Sequence, residues 1–291
     1  MTESQRGHAA MLAFAVLVAG SFALGSRIAN LVDPAALTAL RFGLAGVLIG
    51  LVAQRVVGLE RSAFRAPWRF AILGTLFAIY FVAMFEGLKT ATSVSTAAVF
   101  TLTPLLSAGF GWLLLRQRTT PRMAFALALG GAGALWVIFD ASLPALLAFE
   151  IGRGEAIFFV GCIAHAAYTP MVPKLNRGEA PLTFTFGMIL AGFIILTVYA
   201  APELRATDWM SLPLLFWITL AYLAVFASAA TFLLVQFAAL RLPSAKVMAY
   251  TYLTPSVVIL WEVALTGHWP SPAVLMGVAA TIAALLLLLR E

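Results

Sequence analysis

Apolar runs of about 20 residues alternate with short polar stretches along the whole chain. A hydrocarbon core of roughly 30 Å takes about 20 apolar residues per helix. The runs therefore predict membrane-crossing helices rather than a water-soluble core. Ten fit, at 8–28, 34–54, 68–88, 92–115, 121–139, 154–172, 181–201, 211–237, 243–265 and 271–289. Pro34, Pro121 and Pro181 fall where a first helical turn would begin, a place that suits proline. The loops between runs are short and leave no room for a separate soluble domain.

One pattern occurs twice. The run 90–115, TATSVSTAAVFTLTPLLSAGFGWLLL, carries Leu102-Thr103-Pro104 at its centre, and 241–265, RLPSAKVMAYTYLTPSVVILWEVAL, carries Leu253-Thr254-Pro255 at the same place. Paired proline-interrupted membrane helices point to a transporter site near the bilayer midplane. The chain then divides into two five-helix repeats, 1–140 and 150–291, joined by an external connector at 140–153. Five crossings is an odd number, so the second copy is expected to insert upside down relative to the first.

Composition agrees. Of 291 residues, 63% are hydrophobic and only 10% charged, with a mean hydropathy of +1.00; a soluble surface needs more charge than that. The net charge of +6 comes from scattered Lys and Arg, with no basic stripe for nucleic acid. The single cysteine, Cys162, excludes a disulfide and a Cys-based metal site. The first run resembles a signal peptide, but nine more spans follow, and an uncleaved first helix is expected. With the N-terminus inside, thirteen cations fall on the cytoplasmic side, Arg61 and Arg290 among them. Only Arg27, Lys89, Arg153 and Arg205 fall outside. That bias supports ten spans with both termini cytoplasmic; the expected location is a cell inner membrane.

The motifs together resemble the drug/metabolite transporter superfamily, EamA-type, over the full length. Gly20-Ser21 followed by Arg27 resembles the family's first-helix pattern, with Ala19 where Trp is usual. Ala36-Leu37-Thr38-Ala39-Leu40-Arg41-Phe42 resembles its second-helix signature. The two Leu-Thr-Pro runs match the prolines of helices 4 and 9. Residues 161–168 match the start of helix 6, with His165 where Trp is usual, and Gln117 stands where Glu is common. Tyr252-Leu253-Thr254-Pro255 and the His165–Tyr168 pattern are most similar to YddG-type exporters of aromatic amino acids.

Candidate chemistry is sparse. No phosphate-binding loop of the form GxxxxGK[ST] is present. His8, His165 and His268 have no metal spacing, and neither a cofactor nor a catalytic group is expected. Ionisable groups inside spans carry more information, because each costs at least a few kcal/mol at the bilayer centre. Arg41 reads as an anion-binding charge or as a structural arginine bonded to carbonyls, with the structural role favoured. Glu86 and Lys89 read as an interface pair. His165 divides evenly between a solute or proton contact and a packing histidine. Glu262 divides between proton coupling and surface pairing.

A cavity for an amphipathic solute needs apolar walls with few polar groups. The candidate wall is Ser21, Tyr80, Phe81, Phe100, Thr103, His165, Tyr168, Tyr250, Tyr252 and Thr254, on helices 1, 3, 4, 6 and 9, with helix 8 closing it. Trp112, Trp136, Trp209, Trp217 and Trp269 read as an interfacial belt. Gly46 and Gly50, and Gly130, Gly131 and Gly133, permit close helix packing, within a monomer or in a homodimer. The resemblance implies export of amino acids, aromatic or otherwise apolar, by alternating access. Alternatives are other metabolites or drugs of the superfamily, a channel-like or receptor protein, and a membrane enzyme, for which no charged pair or His cluster is visible. The expected partners are a small-molecule solute and membrane lipid, not nucleic acid.

Pro104 and Pro255 each remove a backbone donor and free a carbonyl, making a hinge or a static kink. Pro104→Ala and Pro255→Ala are each expected to slow turnover several-fold while leaving solute affinity near the parent's. Flux assayed beside equilibrium binding checks this; parental flux in both would remove the hinge.

Overall fold

In a computed structural model, ten apolar helices among the described residues reach membrane-spanning length: α1 Glu3–Ile28, α2 Pro34–Val56, α3 Trp68–Gly87, α4 Ser93–Leu115, α5 Pro121–Ile138, α6 Arg153–Leu175, α7 Pro181–Tyr199, α8 Leu214–Ala239, α9 Ser244–Thr266 and α10 Pro272–Leu289. The structure describes residues 2–59, 61–148 and 150–289, without the side chains of Arg61 and Ser62. Arg290, counted above among the inner cations, lies outside the described residues, as does the Arg61 side chain.

Local chemistry sets the helix starts. Asp33 accepts from the N–H groups of Ala35 and Ala36, at 2.8 and 3.1 Å, and Pro34 follows it at the first helical position. Thr92 and Thr120 cap α4 and α5 in the same way. The first helix begins five residues earlier than the hydropathy predicts. Thr2 and Gln5 form a capping box there, which hydropathy does not register. Likewise α6 runs on through Pro170 and Pro173 to Leu175.

Three helices depart from α geometry. In α4 the helix stops at Phe100 and restarts at Thr103; in α9 a 3-10 turn, Tyr250–Leu253, precedes a restart at Thr254. Both interruptions sit directly before a Thr-Pro pair. In α8 a π-helical segment occupies Val225–Ala230.

Packing repeats with the same offset as the sequence. Helix α3 lies on α6 and α7, while α8 lies on α1 and α2; α4 contacts α6, and α9 contacts α1. The pairs α2–α7, α4–α9 and α5–α10 map onto themselves under exchange of the halves. At the α5–α10 contact a Cβ on Gly133 would lie 2.7 Å from the Gly277 carbonyl oxygen, and the reverse holds at the same distance. Gly131 faces open space. A Cβ on Gly130 would strike the Tyr252 ring, and one on Gly20 would strike Tyr222.

Polar ties join the elements at both faces. On the near face, where α1 begins, Arg241 donates from Nε to Glu3 at 2.6 Å. Arg69 donates to Glu179 at 2.6 Å and to the Leu175 carbonyl at 2.7 Å. Gln117 accepts from the Ser244 N–H at 3.1 Å and so caps α9; that task needs only an acceptor, which an amide supplies. On the far face Lys89 pairs with Glu86 at 2.7 Å, and Arg27 reaches Glu262 at 3.4 Å.

Two expectations follow. Gly133→Leu should destabilise the folded protein by about 1–3 kcal/mol through overpacking, and Gly131→Leu should be neutral, as read from melting in detergent. For Glu179, burial by itself raises the carboxyl pKa, but the bonds from Arg69 and the Arg177 N–H outweigh it and the net shift is downward. A lowered folded value adds stability above the ordinary carboxylate range, lost as pH falls through the folded value. Glu179→Gln should therefore melt lower at neutral pH, and the gap to the parent should close on acidification.

Candidate functional site

The interrupted helices α4 and α9 cross at their breaks. Pro104 has no N–H to give the Phe100 carbonyl, four residues back. The Thr103 hydroxyl donates to that carbonyl instead, at 2.7 Å, and lies 3.2 Å from the Thr251 hydroxyl across the crossing. In α9 the Thr251 carbonyl accepts from the Thr254 N–H, and the buried Thr254 hydroxyl makes no bond to protein. The two proline sites therefore share a position but not a bonding pattern.

Beside the crossing lies an aromatic core. Phe77, Tyr80 and Phe81 share one face of α3, spaced three and four residues apart. They meet His165 and Tyr168 from α6, Phe100 from α4, and Phe232 from α8. His165 has the rings of Tyr80, Phe77 and Phe100 within 4.5, 5.2 and 5.3 Å. Phe77 stands 4.1 Å from Tyr168 and 4.4 Å from Phe232. Phe22 of α1 and Phe158 of α6 extend the stack towards the far face.

Polar atoms sit inside this apolar shell. Tyr80 Oη and His165 Nδ1 are buried and bond to no protein group. Gln236 of α8 faces the Tyr168 hydroxyl, and the two buried groups interact without reaching good hydrogen-bond geometry. Buried polar groups are ordinarily paired, because each unpaired one costs about 1–3 kcal/mol. Several in one aromatic shell form a surface able to bond a polar solute group while rings enclose the remainder.

Arg41 borders the core and is fully buried. Its Nε donates to Ser228 Oγ at 2.8 Å, and Nη2 donates to the Ala227 carbonyl at 2.7 Å. Both acceptors lie in the π segment of α8, where shifted pairing can release carbonyls. The guanidinium carbon stands 3.8 Å from the centroid of the Phe81 ring. Two charged hydrogen bonds at about 1.5–3 kcal/mol each and a desolvated cation–π contact of about 2 match the several kcal/mol that burying one ion costs. The structural role read for Arg41 is thus present, and its Nη1 remains without a protein partner.

The predicted wall divides. Tyr80, Phe81, Phe100, His165 and Tyr168 come together. Ser21 is buried on α1 with an unpaired hydroxyl. Tyr250 lies towards the near face, where its hydroxyl shares a 3.0 Å hydrogen bond with His8 Nδ1. Tyr252 points the other way, into the α5–α10 contact with Met123, Ala126 and Leu127. Glu262 accepts from Ser93 Oγ at 2.8 Å and Glu155 accepts from Ser95 Oγ at 2.7 Å, both from the first turn of α4.

The space expected among α1, α3, α4, α6, α8 and α9 is filled by rings. A pocket of about 510 Å³ opens instead at the far face, lined by Ser93, Ser95, Val137, Glu155, Glu262 and Val274 among others. Both halves contribute, through α4 and α5 and through α6, α9 and α10. Sequence reasoning missed Phe77, Phe232 and Gln236. Phe77 stands one turn before Tyr80 on the same face, and Gln236 is a lone amide in an otherwise apolar run, so each left a readable signal.

Comparison with known proteins agrees with this geometry. The family model described as the EamA-like transporter family matches twice, at residues 5–139 and 152–290. The "Uncharacterized transporter YyaM" of Bacillus subtilis (strain 168) is 24% identical over 252 residues, covering 86% of this chain and 83% of that protein. A solved crystal structure superposes with a TM-score of 0.75 at 20% identity, over 98% of this chain and 96% of the other. The chain, with ten spans around a buried aromatic core, belongs to the EamA-like transporter family and is a multi-pass membrane transporter.

Proposed function

We propose that this transporter exports amino acids with aromatic or other apolar side chains by alternating access. The observation that carries the reading is the core itself, in which the unpaired buried Tyr80 hydroxyl and His165 Nδ1, with the Gln236 amide near them, are set among Phe77, Phe81, Phe100 and Phe232. An amino acid with an apolar side chain has matching halves: a polar head that satisfies the donors and acceptors, and a side chain that packs with rings. The motif resemblance to exporters of aromatic amino acids points the same way. Among the described residues no further cation stands beside Arg41 in the core, which disfavours a sugar phosphate as solute.

Direction rests on the motif resemblance and orientation on charge. The cation excess favours a cytoplasmic near face, in a membrane read as a cell inner membrane, and on that reading the far-face pocket is external. Closure at the near face by α1 against the α8–α9 turn, and opening at the far face, describe one of the two states that rocking halves exchange. The crossing of α4 over α9 at the two Thr-Pro breaks supplies the place where such rocking bends the chain.

Purified protein in proteoliposomes should show saturable counterflow of labelled phenylalanine, competed by unlabelled aromatic amino acids. Unsaturable leak would indicate a channel. His165→Ala should lower flux on the order of tenfold at parental folded yield, the loss of one well-placed contact. Unchanged flux for every amino acid tested would take His165 off the path.

A further inference from the structure

The chain buries two arginines, and it treats them differently. Arg69, at the near face, is 3% exposed and meets a carboxylate, Glu179, at 2.6 Å. Arg41 is 0% exposed, deep in the membrane, and among the described residues no carboxylate pairs with it. Its two anchored nitrogens fix the plane of the guanidinium against the π segment of α8. The remaining nitrogen, Nη1, is buried and bonded to nothing in the protein. A guanidinium presents paired donors in a rigid fork suited to a carboxylate. A cation with a free donor in a low-dielectric interior attracts an anion far more strongly than one in water.

The neighbourhood leads from that donor into the aromatic core. Phe81 stacks on the guanidinium, Tyr80 lies 4.6 Å from Phe81, and His165 lies 4.5 Å from Tyr80. The Tyr80 phenol lies within electrostatic range of Arg41, and its hydroxyl is another unpaired donor of the same core. We propose that Arg41 Nη1 and Tyr80 Oη form the seat for the carboxylate of the solute in the state in which rocking of the halves parts the rings that fill this space here. The aromatic part of the solute then lies towards Phe77, Phe100 and His165. This rests on the reading of the core as the solute path, and it makes the carboxylate, rather than the amino group, the group that the protein selects. Arg41 thereby serves two ends: two nitrogens hold α2 to α8, and the third reads the solute.

The seat can be tested by binding alone, with the full chain in detergent micelles and three probes of similar size: 3-phenylpropanoate, 3-phenylpropanamide and 2-phenylethylamine. Calorimetric titration should show the acid binding about tenfold more tightly than the amide or the amine. Arg41→Gln should erase that ratio while amide binding persists. Because Arg41 also ties two helices, Tyr80→Phe serves as the second variant; it keeps the ring, and should narrow the ratio several-fold at an unchanged melting temperature. Equal affinity for acid and amide in the parent, no saturable binding of the acid, or a full acid preference in Arg41→Gln would overturn the seat. Should Arg41→Gln not fold, an undiminished preference in Tyr80→Phe would overturn it. Phenylalanine counterflow is read separately. Acid preference without flux overturns the amino-acid export reading alone, and flux without acid preference overturns the seat alone.

Discussion

Inside a bilayer every backbone N–H and C=O must find a partner within the protein, because lipid offers none. An uninterrupted α-helix meets that demand by itself. This chain departs from it three times near mid-membrane, at the breaks of α4 and α9 and in the π segment of α8. Partners stand ready at these places. The Thr103 hydroxyl takes the carbonyl that Pro104 leaves, and Arg41 takes the Ala227 carbonyl of the π segment. Irregular backbone is thus confined to positions where other helices cover it. Those positions border the aromatic core, so the constraint that restricts backbone geometry also locates the functional region.

A symmetric scaffold carries an asymmetric site. Helix contacts repeat when the halves are exchanged, but the side chains do not. Counting from the prolines that open α2 and α7, Met188 occupies the place of Arg41. The α3–α6 pair brings three phenylalanines, two tyrosines and His165 to the core, whereas its counterpart, α8 with α1, brings Phe232, Phe22, Gln236, Ser21 and small residues. One helix pair therefore supplies most of the ring surface and the other leaves room, as Gly20 does for the Tyr222 side chain. Rocking of similar halves requires similar packing; recognition of an unsymmetrical solute requires different side chains.

Near and far faces differ in the same spirit. The near face is held by charged pairs between distant segments, Glu3 with Arg241 and Arg69 with Glu179. The far face holds longer or local pairs around a pocket. An exposed ion pair contributes little, with a median near 0–1 kcal/mol. Burial of Arg69 makes its pair the exception, since removing one partner would strand a charge.

The sequence alone determined the number of spans, their approximate limits and the duplication, because hydrophobic length and cation position are local properties that a bilayer reads directly. It also marked the two Thr-Pro breaks, since proline acts on its own helix. Of the ten wall residues it named, Tyr80, Phe81, Phe100, His165 and Tyr168 share one cluster, on faces that the periodicity of their helices sets. Tertiary structure alone decided the rest. Tyr250 and Tyr252, two residues apart, face opposite sides by helix geometry alone, but only the packing decided that Tyr250 meets His8 and Tyr252 enters the α5–α10 contact. Arg41 gained its partners from a π segment 186 and 187 residues away, and no spacing rule within α2 contains that distance. Which buried donors stay unpaired depends on every helix around them, and so it is settled only when all ten have packed.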